Sequence, residues 1–393
     1  MATLHTKVGI IGAGPAGLLL SHLLHLEGIE SIVIEVQTRQ YVEERNRAGV
    51  LEQGTVDLLN ASGVGERLRR EGLVHHGIEL RFGGAGHRID LTALSGGRSI
   101  TVYGQQEVVK DLIAARLATG APIHFDATDV RVEAFDTTAP RVLFRAGGED
   151  RRIDCDFIAG CDGFHGICRA AVPAGALTFH ERAYPFAWLG ILAAAAPSRQ
   201  ELAYASHDRG FALFSMRSPA VTRLYLQVPP DEDAGAWSDD RIWAELKRRL
   251  GGEDDWSPTE GPVIEKGVTG MRSFVAEPMR FGRLFLLGDA AHIVPPTGAK
   301  GMNLALADAR VLAEALQAFY RSGDKAPLDG YSERCLARVW RAEHFSWWMT
   351  SMLHRFPGDD TFHHRLQMAQ LRYLVASRAA ATSLAENYVG WQG

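Results

Sequence analysis

One stretch of the chain concentrates residue types that bind an anionic ligand. Residues 288–303 read GDAAHIVPPTGAKGMN and follow the apolar run RLFLL. Asp289 therefore stands at the carboxyl end of a predicted strand, where open α/β sheets bind their ligands. Residues 298–303 are predicted to begin a helix, whose free N–H groups and positive dipole end attract negative charge. The stretch predicts a ligand held between a carboxylate and a helix N-terminus.

A second set of residues, near the N-terminus, predicts a dinucleotide site. The segment KVGIIGAGPAG is an apolar strand that runs into Gly12, Gly14 and Gly17 with the spacing G-x-G-x-x-G. An apolar helical pattern follows, and the next strand, SIVIE, ends in Glu35. In such a unit the glycines let the pyrophosphate reach the helix N-terminus, and the acid binds the ribose. Strand, turn, helix, strand and acid in this order predict a Rossmann-like unit.

A third segment places another acid beside glycine at a strand end. IDCDFIAGCDGFHGICR runs from an apolar strand into Asp162 and Gly163. Taken alone, this segment or the one at Asp289 indicates only a turn. Combined with the N-terminal unit, the two segments bring three predicted strand ends to one edge of a sheet. The N-terminal unit alone fits either a flavin or a nicotinamide cofactor. The two added acids decide between these two cofactors.

Together the three pieces resemble the FAD-binding pattern of the class A flavoprotein monooxygenases. Sequence segments that resemble those of the family occur along the whole chain: RAGVLEQG, REGLVHHG, YPFAWLG, RGFALFSMRS, FSWWMTSMLHRFP and AENYVG. The resemblance implies FAD as cofactor, NADPH or NADH as co-substrate, and O2. It assigns Asp289 to the ribitol chain of FAD.

Further FAD contacts are predicted from charge and from the resemblance. Arg45 and Arg47 follow the second strand of the N-terminal unit and are suited to a pyrophosphate through charge-assisted hydrogen bonds. The resemblance places Gln105 against the ribityl region and Arg223 where it helps position the flavin. The full set of predicted FAD contacts is Gly12, Gly14, Gly17, Glu35, Arg45, Arg47, Gln53, Gln105, Asp162, Arg223, Asp289, Met302 and Asn303.

The pattern of hydrophobic residues divides the chain into three predicted parts. Residues 1–178 form the main part of an FAD-binding domain. Residues 179–270 show short alternating runs, which predict an inserted antiparallel-sheet substrate domain. Residues 271–393 return to the FAD-binding domain and end in helices. The predicted fold class is α/β with an α+β insert: a Rossmann-like FAD-binding domain, an inserted antiparallel sheet and C-terminal helices.

The inserted sheet carries a candidate site for a carboxylate. Alternate residues of a strand share one face, so Ser215 and Arg217 point together in FALFSMR, as Arg223 and Tyr225 do in TRLYLQ. With SPAVT as the hairpin loop, Arg217 faces Arg223 and Ser215 faces Tyr225. Two adjacent arginines repel unless an anion lies between them or each has its own partner.

The resemblance also implies the reaction and the roles of these residues. It implies hydroxylation of 4-hydroxybenzoate to 3,4-dihydroxybenzoate, with a related aromatic acid as the alternative substrate. An FAD-fold protein that binds a partner without redox chemistry is the alternative from another class. The implied catalytic set is Tyr204, Tyr388, His75 and Pro296, and the implied substrate contacts are Tyr204, Ser215, Arg217, Tyr225 and Pro296.

One departure from the family pattern concerns the nicotinamide. Val36 follows Glu35 where familiar members carry a basic residue suited to the extra phosphate of NADPH. A lost charge-assisted bond is typically worth about 1.5–3 kcal/mol, so the choice between NADPH and NADH stays open. The predicted NAD(P)H contacts are Gln37, Tyr41, Arg47, His165 and Arg272.

Composition excludes several other classes of function. The chain has 393 residues and a formal net charge of −5, without the basic surface that nucleic-acid binding needs. No apolar run is long enough to span a bilayer, and no histidine or cysteine set has zinc-ligand spacing. We therefore expect no metal, no nucleic-acid partner and no membrane partner, and a cytoplasmic protein. The aromatic segment 343–356 is predicted to be core or the interface of a homodimer.

Overall fold

The computed structural model describes residues 2–47 and 49–390. The remaining residues are 1, 48 and 391–393, so Ala48 of the segment RAGVLEQG and the last three residues of the third predicted part lie outside the described chain. The strands are Ala2–His5 (β1), Val8–Ile11 (β2), Ser31–Ile34 (β3), Val50–Glu52 (β4), Leu73–His75 (β5), Gly77–Phe82 (β6), Ala85–Asp90 (β7), Ile100–Val102 (β8), Ile123–His124 (β9), Thr128–Glu133 (β10), Arg141–Ala146 (β11), Glu149–Asp154 (β12), Phe157–Gly160 (β13), Thr178–Ala193 (β14), Ala203–Ala205 (β15), Ala212–Ser218 (β16), Val221–Val228 (β17), Val263–Glu277 (β18), Arg280–Phe281 (β19), Leu284–Leu286 (β20) and His292–Ile293 (β21).

The helices connect these strands and fill the C-terminal third of the chain. They are Pro15–Leu26 (α1), Arg39–Glu44 (α2), Gln53–Ala61 (α3), Glu66–Glu71 (α4), Leu91–Leu94 (α5), Gln105–Ala118 (α6), Ile167–Ala171 (α7), Asp239–Leu250 (α8), Gly301–Ser322 (α9), Ala326–Asp329 (α10), Tyr331–Leu353 (α11), Thr361–Ala376 (α12) and Arg378–Val389 (α13). No helix in the described ranges is both long and apolar enough to cross a membrane.

A six-stranded sheet brings the three predicted motifs to one edge. Its order is β19-β20-β13-β2-β3-β9, and β20, β13, β2, β3 and β9 run parallel. In register, the last residues of the strands lie side by side: Ile34, Ile11, Gly160 and Leu286. The glycine turn, the Asp162 turn and the Asp289 turn therefore leave the sheet at the same edge. This confirms the predicted Rossmann-like α/β fold.

The glycine turn is packed too closely for any side chain at two positions. A Cβ on Gly12 would lie 2.3 Å from the carbonyl oxygen of Cys161, and Gly12 has a φ of 107°. A Cβ on Gly17 would lie 2.1 Å from the carbonyl oxygen of Gly12. Gly14 differs, because its Cβ would meet nothing within 4 Å. Glycines 12 and 17 therefore let α1 and β13 approach the turn, while Gly14 faces open space.

The second sheet has eight strands in the order β21-β18-β14-β17-β16-β15-β6-β7. Five of them come from residues 178–277. The sheet also takes in β6 and β7 from the N-terminal part and β21 from the segment after Asp289. The antiparallel sheet is therefore joined by hydrogen bonds to both flanking parts of the chain.

The predicted register of one hairpin in this sheet is wrong by two residues. The structure pairs Ser215 with Arg223 and Leu213 with Tyr225. The turn is shorter than the predicted loop, because Ser218 already pairs with Val221, and an irregularity displaces the strand between Met216 and Ser218. A shift of two residues keeps the same face, so Ser215, Arg223 and Tyr225 share one face as predicted, while Arg217 lies in the irregularity between Met216 and Ser218.

Replacing Gly17 by Ala should destabilise the protein by about 1–3 kcal/mol, because the new Cβ forces α1 away from the glycine turn. Urea unfolding followed by circular dichroism measures the free energy of unfolding. Gly14→Ala is the matched control and should change that free energy by less than about 0.5 kcal/mol. Equal losses in both variants would show that the close approach at Gly17 is not what stabilises the turn.

Candidate functional site

Asp289 lies in a groove at the edge where the parallel strands end. Its side chain is exposed to solvent, yet the surrounding protein raises the pKa of its carboxyl group against the opposing charges of His292 and Arg47. A carboxyl group that solvent reaches but that protein surrounds on most sides lies in a cleft. Asp289 is therefore placed to accept hydrogen bonds from a ligand in this groove.

A buried ion pair fixes the turn that carries Asp289. Asp308 on α9 accepts a hydrogen bond from the N–H of Gly288 at 3.0 Å, and its Oδ2 lies 2.7 Å from Nε2 of His292. The two side chains are 1% and 3% exposed. Burial lowers the pKa of His292, but the charge of Asp308 and its hydrogen bond raise that pKa by more. Asp308 therefore joins α9 to the turn on both sides of Asp289, at Gly288 and at His292.

Two predicted FAD acids are engaged with backbone N–H groups. Glu35 is buried and accepts hydrogen bonds from the N–H groups of Ala13 at 2.7 Å and Gln37 at 2.8 Å. Asp162 accepts one from the N–H of Cys168 at 2.9 Å. The other oxygen, Oδ1 of Asp162, is buried and has no partner among residues 2–47 and 49–390. Glu35 thus fixes the glycine turn through its two backbone hydrogen bonds. Oδ1 of Asp162 can still accept a hydrogen bond from a ligand.

Arg45 and Arg47 lie beside the groove with exposed side chains. Both charges act on the carboxyl group of Asp289, and within the described chain neither guanidinium comes within 4.0 Å of a carboxylate oxygen. Burial and the charge of Arg45 lower the pKa of Arg47. The groove therefore has positive charge that the protein itself does not neutralise, as binding of a pyrophosphate requires.

The N-terminus of α9 differs in detail from the prediction. Residues 296–298 form a 3-10 turn, Ala299 takes the left-handed conformation, and the helix begins at Gly301 rather than at 298. The glycine preceding Ala299 is needed for another reason: a Cβ on Gly298 would lie 2.5 Å from Oγ of Ser346. The close contact between the 3-10 turn and α11 therefore requires glycine.

Met302 and Asn303, in the first turn of α9, are both buried. Asn303 accepts a hydrogen bond from the N–H of Glu52 at 2.9 Å and donates to the carbonyl oxygens of Val50 at 3.0 Å and Ala299 at 2.9 Å. Its side chain therefore joins α9 to β4. A contact between Asn303 and a flavin would accordingly come from its backbone.

The two predicted glutamine contacts occupy helix starts. Gln53 opens α3, accepts from Oγ of Ser99 at 3.2 Å and donates to Asp57 at 3.0 Å. Gln105 is half-buried and opens α6 directly after Gly104. The backbone N–H groups in the first turn of a helix have no partner within that helix, so those near Gln53 and Gln105 could donate to a ligand.

The predicted NAD(P)H contacts form two groups. His165 and Arg272 lie around Phe164, with ring centroids 5.0 Å apart and the guanidinium 4.7 Å from the Phe164 ring. Tyr41 lies on α2, where its ring is 5.6 Å from the guanidinium of Arg45. No hydrogen bond or ring contact among the described residues joins the two groups.

The eight-stranded sheet presents the predicted substrate residues on one face. Tyr204 pairs with Leu213, Leu213 with Tyr225, and Tyr225 with Gly190, so these residues form one row across four strands. Ser215 and Arg223 stand in the neighbouring row. Gly190 leaves room beside them, because a Cβ there would lie 3.0 Å from Nη2 of Arg223. The face thus carries two phenol groups, a hydroxyl and a guanidinium.

Two arginines surround the hydroxyl of Tyr225. Nε of Arg223 donates to that hydroxyl at 3.3 Å. Burial raises the pKa of Tyr225, but the charges of Arg217 and then Arg223 lower it by more. In the part of the chain that the structure describes, no carboxylate lies within 4.0 Å of either guanidinium. Positive charge without a protein counter-ion predicts an anionic ligand group here.

The sheet face and the groove adjoin through Arg217. Its Nη2 donates to the carbonyl oxygen of Arg47 at 3.2 Å, and the charge of Arg223 acts on Arg47. The loop that carries the groove arginines therefore contacts the strand that carries the substrate residues. A ligand in the groove and a ligand on the sheet face would be neighbours.

Tyr204 and Tyr388 are hydrogen-bonded through their hydroxyl groups. Both are buried, and burial raises the pKa of each phenol. His75 is also buried, neither of its ring nitrogens has a partner among the described residues, and burial lowers its pKa to about 4. The tyrosine pair predicted from the resemblance is therefore present, but no direct hydrogen bond extends it to His75.

Sequence reasoning missed several residues that position these groups. Asp308 and His292 support the groove, and Lys300 donates to Glu52 at 2.5 Å and to the carbonyl oxygen of Tyr388 at 3.0 Å. Lys300 thereby joins α9, β4 and the last helix. A charged residue inside an otherwise apolar or glycine-rich stretch was the available signal for Asp308 and Lys300.

Two cavities lie elsewhere on the protein. One of about 460 Å³ lies between the β14–β18 ribbon and α11, and one of about 250 Å³ lies near Phe82 and Met368. Neither is lined by Asp289 or Tyr204. In residues 2–47 and 49–390, no group of three or more His, Cys, Asp or Glu side chains is arranged to hold a metal ion.

The groove fits FAD on three observations. Gly14 faces open space at the N-terminus of α1, Oδ1 of Asp162 is buried without a partner in the described chain, and Asp289 is an exposed carboxyl on which the charges of Arg47 and Arg45 act. A dinucleotide needs a helix N-terminus and positive charge for its phosphates and acceptors for its hydroxyls. All three are present at one sheet edge.

Comparison with known proteins agrees with this geometry. A family model described as an FAD binding domain matches residues 5–346. The p-hydroxybenzoate hydroxylase of Acinetobacter baylyi is 52% identical over 390 residues, which are 99% of this chain and 96% of that protein. A 3-(3-hydroxy-phenyl)propionate/3-hydroxycinnamic acid hydroxylase of a Mycobacterium species is 27% identical, over 83% of this chain and 56% of that protein.

Similarity among solved structures extends over the whole chain. The crystal structure of a p-nitrophenol 4-monooxygenase from Pseudomonas putida superposes with a TM-score of 0.83 over 100% of both chains, at 20% sequence identity. An aklavinone-11 hydroxylase with FAD and aklavinone superposes with a TM-score of 0.73 over 89% of this chain, at 19% identity. At these identities the likeness establishes a shared fold.

The buried neutral His75 should make the protein less stable in mild acid. Between its ordinary pKa of 6.5 and its folded pKa of about 4, the unfolded chain binds a proton that the folded chain does not, so lowering the pH lowers the free energy of unfolding. His75→Leu removes this titration without breaking a hydrogen bond. We expect the loss of stability between pH 7 and pH 4.5 to be smaller by about 2 kcal/mol in the variant.

Urea unfolding at the two pH values measures this difference. His25→Leu, at an exposed histidine of α1, is the control and should keep the pH dependence of the wild type. An unchanged pH dependence in His75→Leu would contradict the prediction that His75 is neutral in the folded protein.

Proposed function

This chain belongs to the FAD binding domain family, and from that premise we propose that it is an FAD-dependent hydroxylase of 4-hydroxybenzoate. The reaction consumes 4-hydroxybenzoate, O2, NAD(P)H and a proton, and gives 3,4-dihydroxybenzoate, NAD(P)+ and water. The observation that carries the proposal is the arginine pair around Tyr225, with Tyr204 in the same row of the sheet. The name of the Acinetobacter relative supports this choice of substrate.

The carboxylate of the substrate would bind at the arginine end of the row. Arg217 offers a guanidinium without a carboxylate partner, and Ser215 and Tyr225 offer hydroxyl groups from the same face. A carboxylate accepts several hydrogen bonds at once, and such charge-assisted bonds are among the strongest in proteins. Binding would also offset the repulsion between the two arginines, since the new negative charge lies between them.

The phenol of the substrate would lie at the Tyr204 end. The ring of 4-hydroxybenzoate is para-substituted, so a carboxylate at one end of the row directs the hydroxyl group toward the other. There the substrate O–H donates to the hydroxyl oxygen of Tyr204, whose own O–H donates to Tyr388. Moving a proton along this chain gives the substrate phenolate, which is more electron-rich and hence more readily attacked by an electrophilic oxygen.

The raised pKa values of the two tyrosines limit how the proton moves. Neither Tyr204 nor Tyr388 is stable as a phenolate at neutral pH, because burial raises the pKa of both. Each tyrosine must therefore accept one proton as it releases another. Burial keeps His75 neutral by lowering its pKa to about 4, so it would accept a proton on one ring nitrogen only as it releases one from the other. Neither nitrogen has a partner among the described residues, so both could bind an intervening water.

FAD would be held by the residues around the groove. Asp289 would bind the ribitol chain, Glu35 lies at the ribose position, and Arg45 and Arg47 face the pyrophosphate. When bound, FAD supplies the redox chemistry, accepting electrons from NAD(P)H and activating O2. The protein supplies positioning: Pro296 would present its carbonyl oxygen beside the substrate ring, and Arg223 would support the flavin from the sheet.

A homodimer and a cytoplasmic location complete the proposal. On α12, Phe362, Leu366 and Tyr373 are 64%, 52% and 63% exposed and recur at helical spacing. Exposed apolar side chains in a row are typical of a protein interface, and they lie next in sequence to the predicted interface segment 343–356. The use of NAD(P)H and the four free cysteines favour the cytoplasm.

The experiment that tests the activity uses the purified protein with FAD. NADPH and NADH oxidation are each recorded with and without 4-hydroxybenzoate, and 3,4-dihydroxybenzoate is quantified. We expect 4-hydroxybenzoate to stimulate oxidation and the product to match the nicotinamide consumed. Oxidation without product would reject 4-hydroxybenzoate as the substrate and leave the choice to another aromatic acid.

Replacing Tyr204 by Phe should uncouple oxidation from hydroxylation. The substrate phenol then loses its proton acceptor, so we expect the product formed per NAD(P)H oxidised to fall by at least about tenfold. Both quantities are measured in one assay. Tyr373→Phe, at an exposed tyrosine, is the control and should leave the ratio unchanged; an unchanged ratio in Tyr204→Phe would remove the tyrosine chain from the mechanism.

Introducing a positive charge at Val36 should increase the preference for NADPH. The Val36 side chain is 55% exposed, so Arg fits there without disturbing the core. One new charge-assisted bond to the extra phosphate should raise the ratio of kcat/KM for NADPH to kcat/KM for NADH by about tenfold. The control is Ile264→Arg, at an aliphatic residue that is 57% exposed. Equal ratios in both variants would show that position 36 does not meet the nicotinamide cofactor.

A further inference from the structure

One buried histidine contacts the elements that surround the proposed hydroxylation site. His354 follows the last residue of α11 and is 0% exposed. Its ring stacks on Phe211 with centroids 4.2 Å apart and on Phe186 with centroids 4.7 Å apart. The indole of Trp188 lies nearly parallel to it at 5.8 Å. His354 is therefore held between aromatic side chains of the substrate sheet.

Its two hydrogen bonds define one protonation state. Nε1 of Trp188 lies 2.7 Å from Nε2 of His354, and the indole N–H can only donate, so Nε2 must accept. Nδ1 of His354 lies 3.0 Å from the carbonyl oxygen of Thr350, which can only accept, so Nδ1 must carry the proton. The ring is thus neutral with its proton on Nδ1. Burial agrees, since it lowers the pKa of His354 to about 3.

The neighbours of His354 reach both ends of the substrate row. The Trp188 ring lies 4.8 Å from that of Tyr225, on the carboxylate side. The Phe211 ring lies 6.2 Å from that of Tyr204, on the phenol side. The imidazole of His354 thus contacts Trp188, which packs on Tyr225, and Phe211, which packs on Tyr204.

The same region of α11 contacts the 3-10 turn Pro296–Gly298, which we call the proline turn. Oγ1 of Thr350 lies 2.7 Å from the carbonyl oxygen of Ser346, which can only accept, so the Thr350 hydroxyl donates there. It therefore accepts from Oγ1 of Thr297 at 2.8 Å, and Thr297 directly follows Pro296. Trp188 is thus hydrogen-bonded to His354, and His354 to the backbone carbonyl of Thr350. The side chain of Thr350 in turn is hydrogen-bonded to Thr297, the residue after Pro296. The substrate sheet and the proline turn are therefore connected through one histidine.

We propose that His354 is a positioning residue for the hydroxylation site, which sets the separation between the row of Tyr204 and Tyr225 and the turn at Pro296. This rests on the proposed function. A ring ligand on the sheet face is bounded by those two elements, and the outcome of a hydroxylation depends on placing one ring carbon accurately. His354 touches neither substrate nor FAD in this account and acts through Trp188, Phe211 and Thr350.

The test compares two substitutions that separate the ring from its hydrogen bonds. His354→Phe keeps an aromatic ring but leaves the N–H of Trp188 without an acceptor. His354→Gln loses the ring but offers a side-chain oxygen near the position of Nε2. His344→Gln, at an exposed histidine of the same helix, is the matched control. Each is purified with FAD, and the thermal midpoint, the dissociation constant of FAD, the KM for 4-hydroxybenzoate and the product per NAD(P)H are measured.

We expect His354→Phe to lower the product per NAD(P)H by about tenfold and to raise KM, while the dissociation constant of FAD changes less than about twofold. His354→Gln should recover part of the product ratio, because it restores the acceptor for Trp188. A residue that served stability alone would lower the thermal midpoint and FAD binding together and would leave the product ratio of the folded fraction unchanged.

Folded His354→Phe with the wild-type product ratio and KM would overturn the positioning role. If His354→Phe does not fold, Thr350→Val removes the bond to Thr297 with little change of shape and should lower the product ratio; an unchanged ratio would also overturn the role. Absence of product from the wild-type protein would instead refute the proposed function, and the positioning role with it.

Discussion

The site depends on two arginines that share one hydroxyl and have no carboxylate partner among residues 2–47 and 49–390. Arg217 and Arg223 lower the pKa of Tyr225 although burial raises it. Like charges held this closely cost free energy unless an anion joins them, so the two guanidinium groups favour a ligand with a carboxylate. Under the proposed function, this one constraint would set the direction in which a para-substituted substrate lies on the sheet, and Tyr204 would then meet the opposite end of that substrate.

The remainder of the fold brings this sheet face next to the dinucleotide groove. Parallel strands deliver the three turns at Gly12, Asp162 and Asp289 to one edge, and the Asp308–His292 pair fixes the last of them. The hydrogen bond from Arg217 to the carbonyl oxygen of Arg47 connects groove and sheet. FAD and an aromatic acid would therefore meet between these two elements.

The sequence was sufficient for the parts of the site that depend on local pattern. Glycine spacing, strand-end acids and two-residue alternation predicted the Rossmann-like unit and the shared face of Ser215, Arg223 and Tyr225. The hairpin register was wrong, because a tight turn at Pro219 and Ala220 and an irregularity at Arg217 are decided by packing. Asp308, Lys300 and His354 were missed because each acts through a contact distant in sequence, which no local period reveals.

The most direct test of the arginine constraint is a binding measurement. The holoprotein is titrated by calorimetry with 4-hydroxybenzoate and with 4-hydroxybenzamide, which has the same ring and phenol but no negative charge. We expect the benzoate to bind at least about tenfold more tightly, because its carboxylate would accept charge-assisted hydrogen bonds from a guanidinium. Equal affinities would contradict this expectation, because the carboxylate would then have no special partner at Arg217 and Arg223.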